Sequence, residues 1–167
     1  MKKEQMKELL KKLNACEDAR EWAEDKSWSE IYETCHRGDW LLWLFFRTTP
    51  GDKRIFLAKG HCANTVRHLM EDEKSRAAVD AAIAFGKGEI TEDERAASAS
   101  SAASAASASY AAASYASYAA AAASAASAAA SAAAYAADAA DAAKKKNQQE
   151  TADICRKYLP IEIWDIK

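Results

Sequence analysis

The sequence predicts an all-α fold: a helical bundle with one very long Ala/Ser-rich helix, straight, bent or folded back. Three observations carry this. Residues 96–137 contain only alanine, serine and tyrosine, and alanine is the strongest helix former because it loses no rotamer freedom. The tract is bracketed by Thr91-Glu92-Asp93-Glu94 before it and Lys144-Lys145-Lys146 after it, the order that a helix dipole favours. Outside the tract, apolar residues recur at helical spacing between cap residues.

The elements follow in order. Met6, Leu9, Leu10 and Leu13 share one face of a helix over 2–14, with lysines on the other. A short helix over 18–24 carries Trp22. Ser27 followed by Glu30 is a capping-box pattern, and Trp28, Ile31, Tyr32 and Cys35 then fall on one side. Gly38 is expected to end that helix and Asp39 to cap the next. Residues Trp40 to Phe46 are apolar all round, which predicts a central helix with neighbours on every side. Pro50-Gly51 stops it. Phe56, Leu57, Cys62, Ala63, Val66, Leu69 and Met70 fit a helix over 53–69, with Gly60 permitting close packing. A further amphipathic helix over 75–85 is closed by Gly86 and Gly88. Thr91 and Glu94 make a second capping box. Thr151 to Tyr158 reads as a last helix, broken at Leu159-Pro160. The tail around Trp164 is either a short extended piece or a helical turn clamped on the core.

At 167 residues one domain is expected, made of a helical part (1–90), the Ala/Ser-rich helix (91–149), and a C-terminal helix and tail (150–167). A straight helix from 91 to 149 would be roughly 88 Å long, against about 30–40 Å for a compact domain of this size. Ser100, Ser101, Ser104 and Ser107 lie on one side of such a helix. Ser114, Ser117, Ser124 and Ser131 lie on nearly the opposite side. A break near 108–113 and a continuous helix that changes partner are both open; the absence of Gly, Pro and Asn there favours continuity.

Composition restricts function. A net charge of −2 and a pI near 6.0 speak against a nucleic-acid partner, which needs a basic face. No charged-then-apolar leader stands at the N-terminus, and the longest strongly apolar run, 40–46, is far too short to cross a bilayer. Four scattered cysteines, Cys16, Cys35, Cys62 and Cys155, read as reduced thiols in a cytoplasmic protein with no membrane partner. Cys35-His36, His61-Cys62, His68 and Cys155 offer no local pair with zinc-ligand spacing, so no metal is expected. His61 and Cys62 lack any orienting residue for nucleophilic catalysis, and no phosphate loop or paired-acid motif occurs. The expectation is a non-enzyme with neither catalytic residues nor cofactors. Arg37-Gly38-Asp39 matches an adhesion tripeptide by letter, but between two helices it reads as a turn and cap. Arg37, Trp40, Trp43 and Arg47 are candidate partner-binding residues, because Trp and Arg dominate interface energetics. Tyr110, Tyr115 and Tyr118, the bulky side chains of the Ala tract with Tyr135, are packing anchors or further contact residues.

Several strings together are similar to one family. They are Asn14-Ala15-Cys16 with Trp22, then Cys35-His36-Arg37-Gly38-Asp39-Trp40-Leu41-Leu42-Trp43-Leu44. His61-Cys62-Ala63 with Val66-Arg67-His68-Leu69 follows, then Gly86-Lys87-Gly88-Glu89, and Ala152-Asp153-Ile154-Cys155-Arg156-Lys157-Tyr158-Leu159-Pro160. The chain resembles the prokaryotic and phage-borne immunity-protein-5-like family over nearly its whole length, most specifically at Arg37 to Leu44. The resemblance implies an inhibitor that neutralises a toxin by steric occlusion, and it brings no catalytic residues. Members often carry Trp or Arg at intervals in the Ala helix, where this chain has Ser and Tyr. Two other readings stand beside it. One is a phage-encoded inhibitor of a host defence complex. The other is a self-assembling helical protein, a homodimer through the Ala-rich helix.

Overall fold

The computed structural model describes residues 1–65, 67–69, 72–101 and 129–166. Among these the chain is helical and no strand occurs. The helices are α1 (Lys3–Lys12), α2 (Glu17–Ala23), α3 (Trp28–Thr34), α4 (Gly38–Thr48), α5 (Arg54–Asn64), α6 (Glu73–Lys87), α7 (92–101) and α8 (Ala129–Tyr158), with 3₁₀ turns at Arg67–Leu69 and Ile161–Ile163. The middle of the Ala tract (102–128), and with it Tyr110, Tyr115, Tyr118 and the question of one long helix, lies outside the described residues.

The ends of the helices follow from their residues. Ser27 and Glu30 form the expected capping box: the Ser27 N–H donates to Glu30 Oε2 at 2.7 Å and the Glu30 N–H donates to Ser27 Oγ at 3.4 Å. Thr91 and Glu94 do the same, at 2.8 and 3.4 Å. Asp72 starts α6 by accepting from the Ser75 N–H at 3.0 Å, so α6 begins before Ser75. Asn14, with φ of 56°, closes α1. The Ala15 N–H reaches Leu10 O at 2.9 Å and the Asn14 N–H reaches Lys11 O at 3.1 Å, the paired bonds of a left-handed C-terminal cap. Gly88, with φ of 81°, repeats this pattern at the end of α6.

The core is built by helices distant in sequence. Met6 and Leu10 of α1, Trp28 and Ile31 of α3, Leu41, Leu44 and Phe45 of α4, Ile55 and Ala58 of α5, and Ala152, Cys155 and Leu159 near the end of the chain are all buried in one cluster. α5 and α6 form an antiparallel pair, and α4 and α5 both pack on the C-terminal half of α8. Two glycines let backbones meet. A Cβ on Gly38 would lie 2.6 Å from the Thr151 carbonyl carbon, and one on Gly86 would lie 2.5 Å from the Leu57 nitrogen. Gly60 faces Ile83 in the same helix pair, the close approach expected of it.

The tail clamps the core. Trp164 is buried, its Nε1–H donates to Leu159 O at 2.8 Å, and its ring lies 4.7 Å from that of Trp28 and 4.9 Å from that of Phe45. It is a 3₁₀ turn rather than an extended piece that brings Trp164 there.

Five expectations are corrected. Gly38 does not end α3, which stops at Thr34; it opens α4, because only a residue without a side chain fits against Thr151. Asp39 does not cap α4 but pairs with Arg37, whose backbone takes the N-cap position. α4 is not surrounded on every side: Phe46 is 55% exposed, and Trp40 and Trp43 are half-buried. α5 ends at Asn64 rather than near Leu69, where the Thr65 hydroxyl donates to Cys62 O at 2.8 Å. α8 runs unbroken through 149–151, so the last helix is a continuation and not a new element.

Candidate functional site

The left-handed cap at Asn14 turns α2 back across α1, and the extended segment between α3 and α4 carries His36 and Arg37 along its edge. Between them lies an open cleft of about 550 Å³. Leu10, Ile31, Leu41 and Leu44 form its floor; Trp22, Trp40 and Trp43 form its walls; Asn14, Cys16, Arg37 and Asp39 are its polar groups. Few polar groups on an apolar, aromatic lining is the ordinary make-up of a recognition pocket.

The aromatic wall is a cluster. The Trp22 and Trp40 rings stand 5.9 Å apart and His36 packs 6.1 Å from Trp22. Cations lie on the outer ring faces: Arg37 is 4.6 Å from the centre of Trp40 and Lys26 is 4.5 Å from that of Trp22. Arg37 is held from its other side by a two-pronged ion pair, Nε to Asp39 Oδ1 at 2.8 Å and Nη2 to Asp39 Oδ2 at 2.6 Å. That pairing holds the Asp39 carboxyl below the ordinary carboxylate range. The guanidinium is thus fixed in place before anything binds.

The residues singled out from sequence separate into three groups. Arg37, Trp40 and Trp43 come together on the cleft. Arg47 is exposed one turn beyond, its guanidinium 5.8 Å from the Trp43 ring. Tyr110, Tyr115 and Tyr118 fall outside the described residues. Trp22, His36, Asp39 and Cys16 complete the site without having been assigned to it. The spacing Arg37-x-Asp39 at a helix start is a local signal for their ion pair. Trp22 has none, since only the angle between α1 and α2 carries it to Trp40.

The other titratable clusters have different surroundings. His61 stacks flat on Tyr158, with ring centres 4.3 Å apart, and is not directed at its neighbour Cys62, whose Sγ faces Thr151 O at 3.6 Å. Burial pushes the Cys35 thiol up. Among the described residues no three metal-ligating side chains converge, and no helix is long and apolar enough to cross a membrane. No family model matches the chain, nor does any curated protein or solved structure.

Proposed function

We propose that the chain is a non-enzymatic protein-binding inhibitor of the immunity-protein kind. It blocks a toxin, or a subunit of a defence complex, by steric occlusion, with the cleft before α4 as its recognition surface. The observation that supports this reading most is the half-buried Trp40 with a pre-positioned Arg37 stacked on it at the mouth of an apolar cleft. Large rigid aromatics and fixed guanidinium groups contribute most of the energy in protein interfaces and lose little entropy on binding. The resemblance of several strings, above all Arg37 to Leu44, to the immunity-protein-5-like family points the same way.

The test is co-expression with the products of the adjacent genes, read as rescue of growth, with calorimetry on each purified pair. The intact chain rescues and binds. Trp40→Ala and Arg37→Ala stay folded by circular dichroism and each weaken binding about 30-fold, the effect of a hot spot worth about 2 kcal/mol. Full affinity in both variants removes the cleft from the interface, and no binding to any neighbouring product removes the inhibitor reading. A second copy of the chain, held through the Ala-rich tract, is the other partner we propose; a monomer by light scattering at all concentrations excludes it.

A further inference from the structure

We infer that Cys62 and Cys155 are a redox-active thiol pair, an oxidation site at the junction of α4, α5 and α8 that a hydroperoxide converts into a disulfide. Cys62 lies near the end of α5, with its Sγ 3.6 Å from Thr151 O. Within α8 that carbonyl lies one turn before Cys155, so the Cys62 thiol rests on Cys155's own turn of helix. Cys155 Sγ in turn lies 3.5 Å from Gly38 O, where the missing Gly38 side chain lets α4 close over the pair. Gly38 packs against Thr151, so both thiols lie at this one contact between α4 and α8.

Access orders the chemistry. Cys155 is 0% exposed and Cys35 is 1% exposed, whereas Cys62 is only half-buried. Cys16 is exposed, but of the two paired thiols a hydroperoxide reaches Cys62 first. The neighbouring thiol and burial raise Cys155, so the pair loses its first proton at Cys62. The Cys62 thiolate attacks the peroxide, the O–O bond breaks, and one oxygen leaves as water (or as the alcohol of an organic peroxide) after taking up a proton. The Cys62 sulfenic acid is left. Cys155 sulfur then attacks Cys62 sulfur; the S–S bond forms, the S–O bond breaks, and the hydroxyl departs with the Cys155 proton as a second water. Two thiols are oxidised by two electrons and the peroxide is reduced by two. Cys35 donates to Arg37 O at 3.4 Å, is closed to solvent, and stays a thiol. The product ties α8 to α5, fixing the helix by which residues 129–158 join the core.

The experiment treats the full chain with a small excess of hydrogen peroxide. It is then denatured, capped with N-ethylmaleimide, weighed intact and mapped by peptide. Before capping, the oxidised chain is lighter by two hydrogens. Two of its four cysteines take maleimide, and one linked peptide joins Cys62 to Cys155. The thermal midpoint rises by several degrees and returns on adding dithiothreitol. Cys35→Ser and Cys16→Ser still form the link; Cys62→Ser does not. Four capped cysteines, a link to Cys16 or Cys35, or Cys62 driven to the sulfinic acid overturns the proposal. Because the capping pattern is read on the intact chain, the result stands even if Cys155→Ser fails to fold.

Discussion

Arg156 finishes a helix that it does not belong to. Its Nε donates to Tyr32 O at 2.8 Å, a second nitrogen donates to Cys35 O, and Nη1 pairs with Asp153 at 2.8 Å. The carbonyls at the end of α3, left without partners by their own helix, are thereby satisfied by a cation at the negative pole. Tyr32 returns the favour, its hydroxyl lying 3.1 Å from Arg156 O and 3.2 Å from Leu159 O at the end of α8. Arg156→Met keeps the aliphatic packing and removes the donors. It should lower unfolding free energy by about 2–3 kcal/mol, read from urea denaturation. His61 supplies a pH dependence. Burial, with Lys157 and Lys87 nearby, holds its imidazole below the ordinary value of about 6.5. The unfolded chain therefore takes up this proton first. The corresponding stability is present above about pH 6.5 and is lost as pH falls through the folded value. Urea midpoints at pH 7.5 and 5.5 should differ more for the parent than for His61→Gln.

Helix–helix contact in this protein is set by absent side chains. Gly38→Ala places a methyl against the Thr151 backbone and forces α4 off α8; Gly86→Ala does the same between α6 and α5 at Leu57. Each should cost about 1–3 kcal/mol by overpacking. The two sites lie on different helix pairs, so the double variant should lose close to the sum, as chemical denaturation of all three proteins would show. At this scale the sequence was informative where signals are local. The Ser27–Glu30 and Thr91–Glu94 boxes form as their spacing predicts, and Met6, Leu10 and Ile31 lie on buried faces as periodicity predicts. It misled at Gly38, because a glycine that ends a helix and one that admits a neighbouring backbone look alike in one dimension. The same limit hid the Trp22–Trp40 wall and the Cys62–Cys155 pair, whose members meet only through tertiary angles. Arg37, Trp40 and Trp43 were legible because all three sit within two turns of α4.

At the largest scale, the segment around Trp164 closes the described core. Trp164 fills the space among Trp28, Tyr32 and Phe45, and truncating an indole at such a position removes about 3–5 kcal/mol from a total of about 5–15. Trp164→Ala should therefore show an early, broadened thermal transition and a weakened near-ultraviolet dichroism, with far-ultraviolet helicity largely kept. All-α architecture was readable from composition because propensity and periodicity agree along the chain; the closure by Trp164 was not, since a tail of alternating residues fits two conformations equally well. This closure has a temporal side. Tyr32 and Arg156 stand 124 residues apart, and Ala152, Cys155, Leu159 and Trp164 are shared members of the N-terminal core. While the chain is being synthesised, the part of the core that these residues cover stays open until the alanine tract has been translated. A product that stops within that tract lacks the residues that complete the core, so only chains translated through Trp164 can close it.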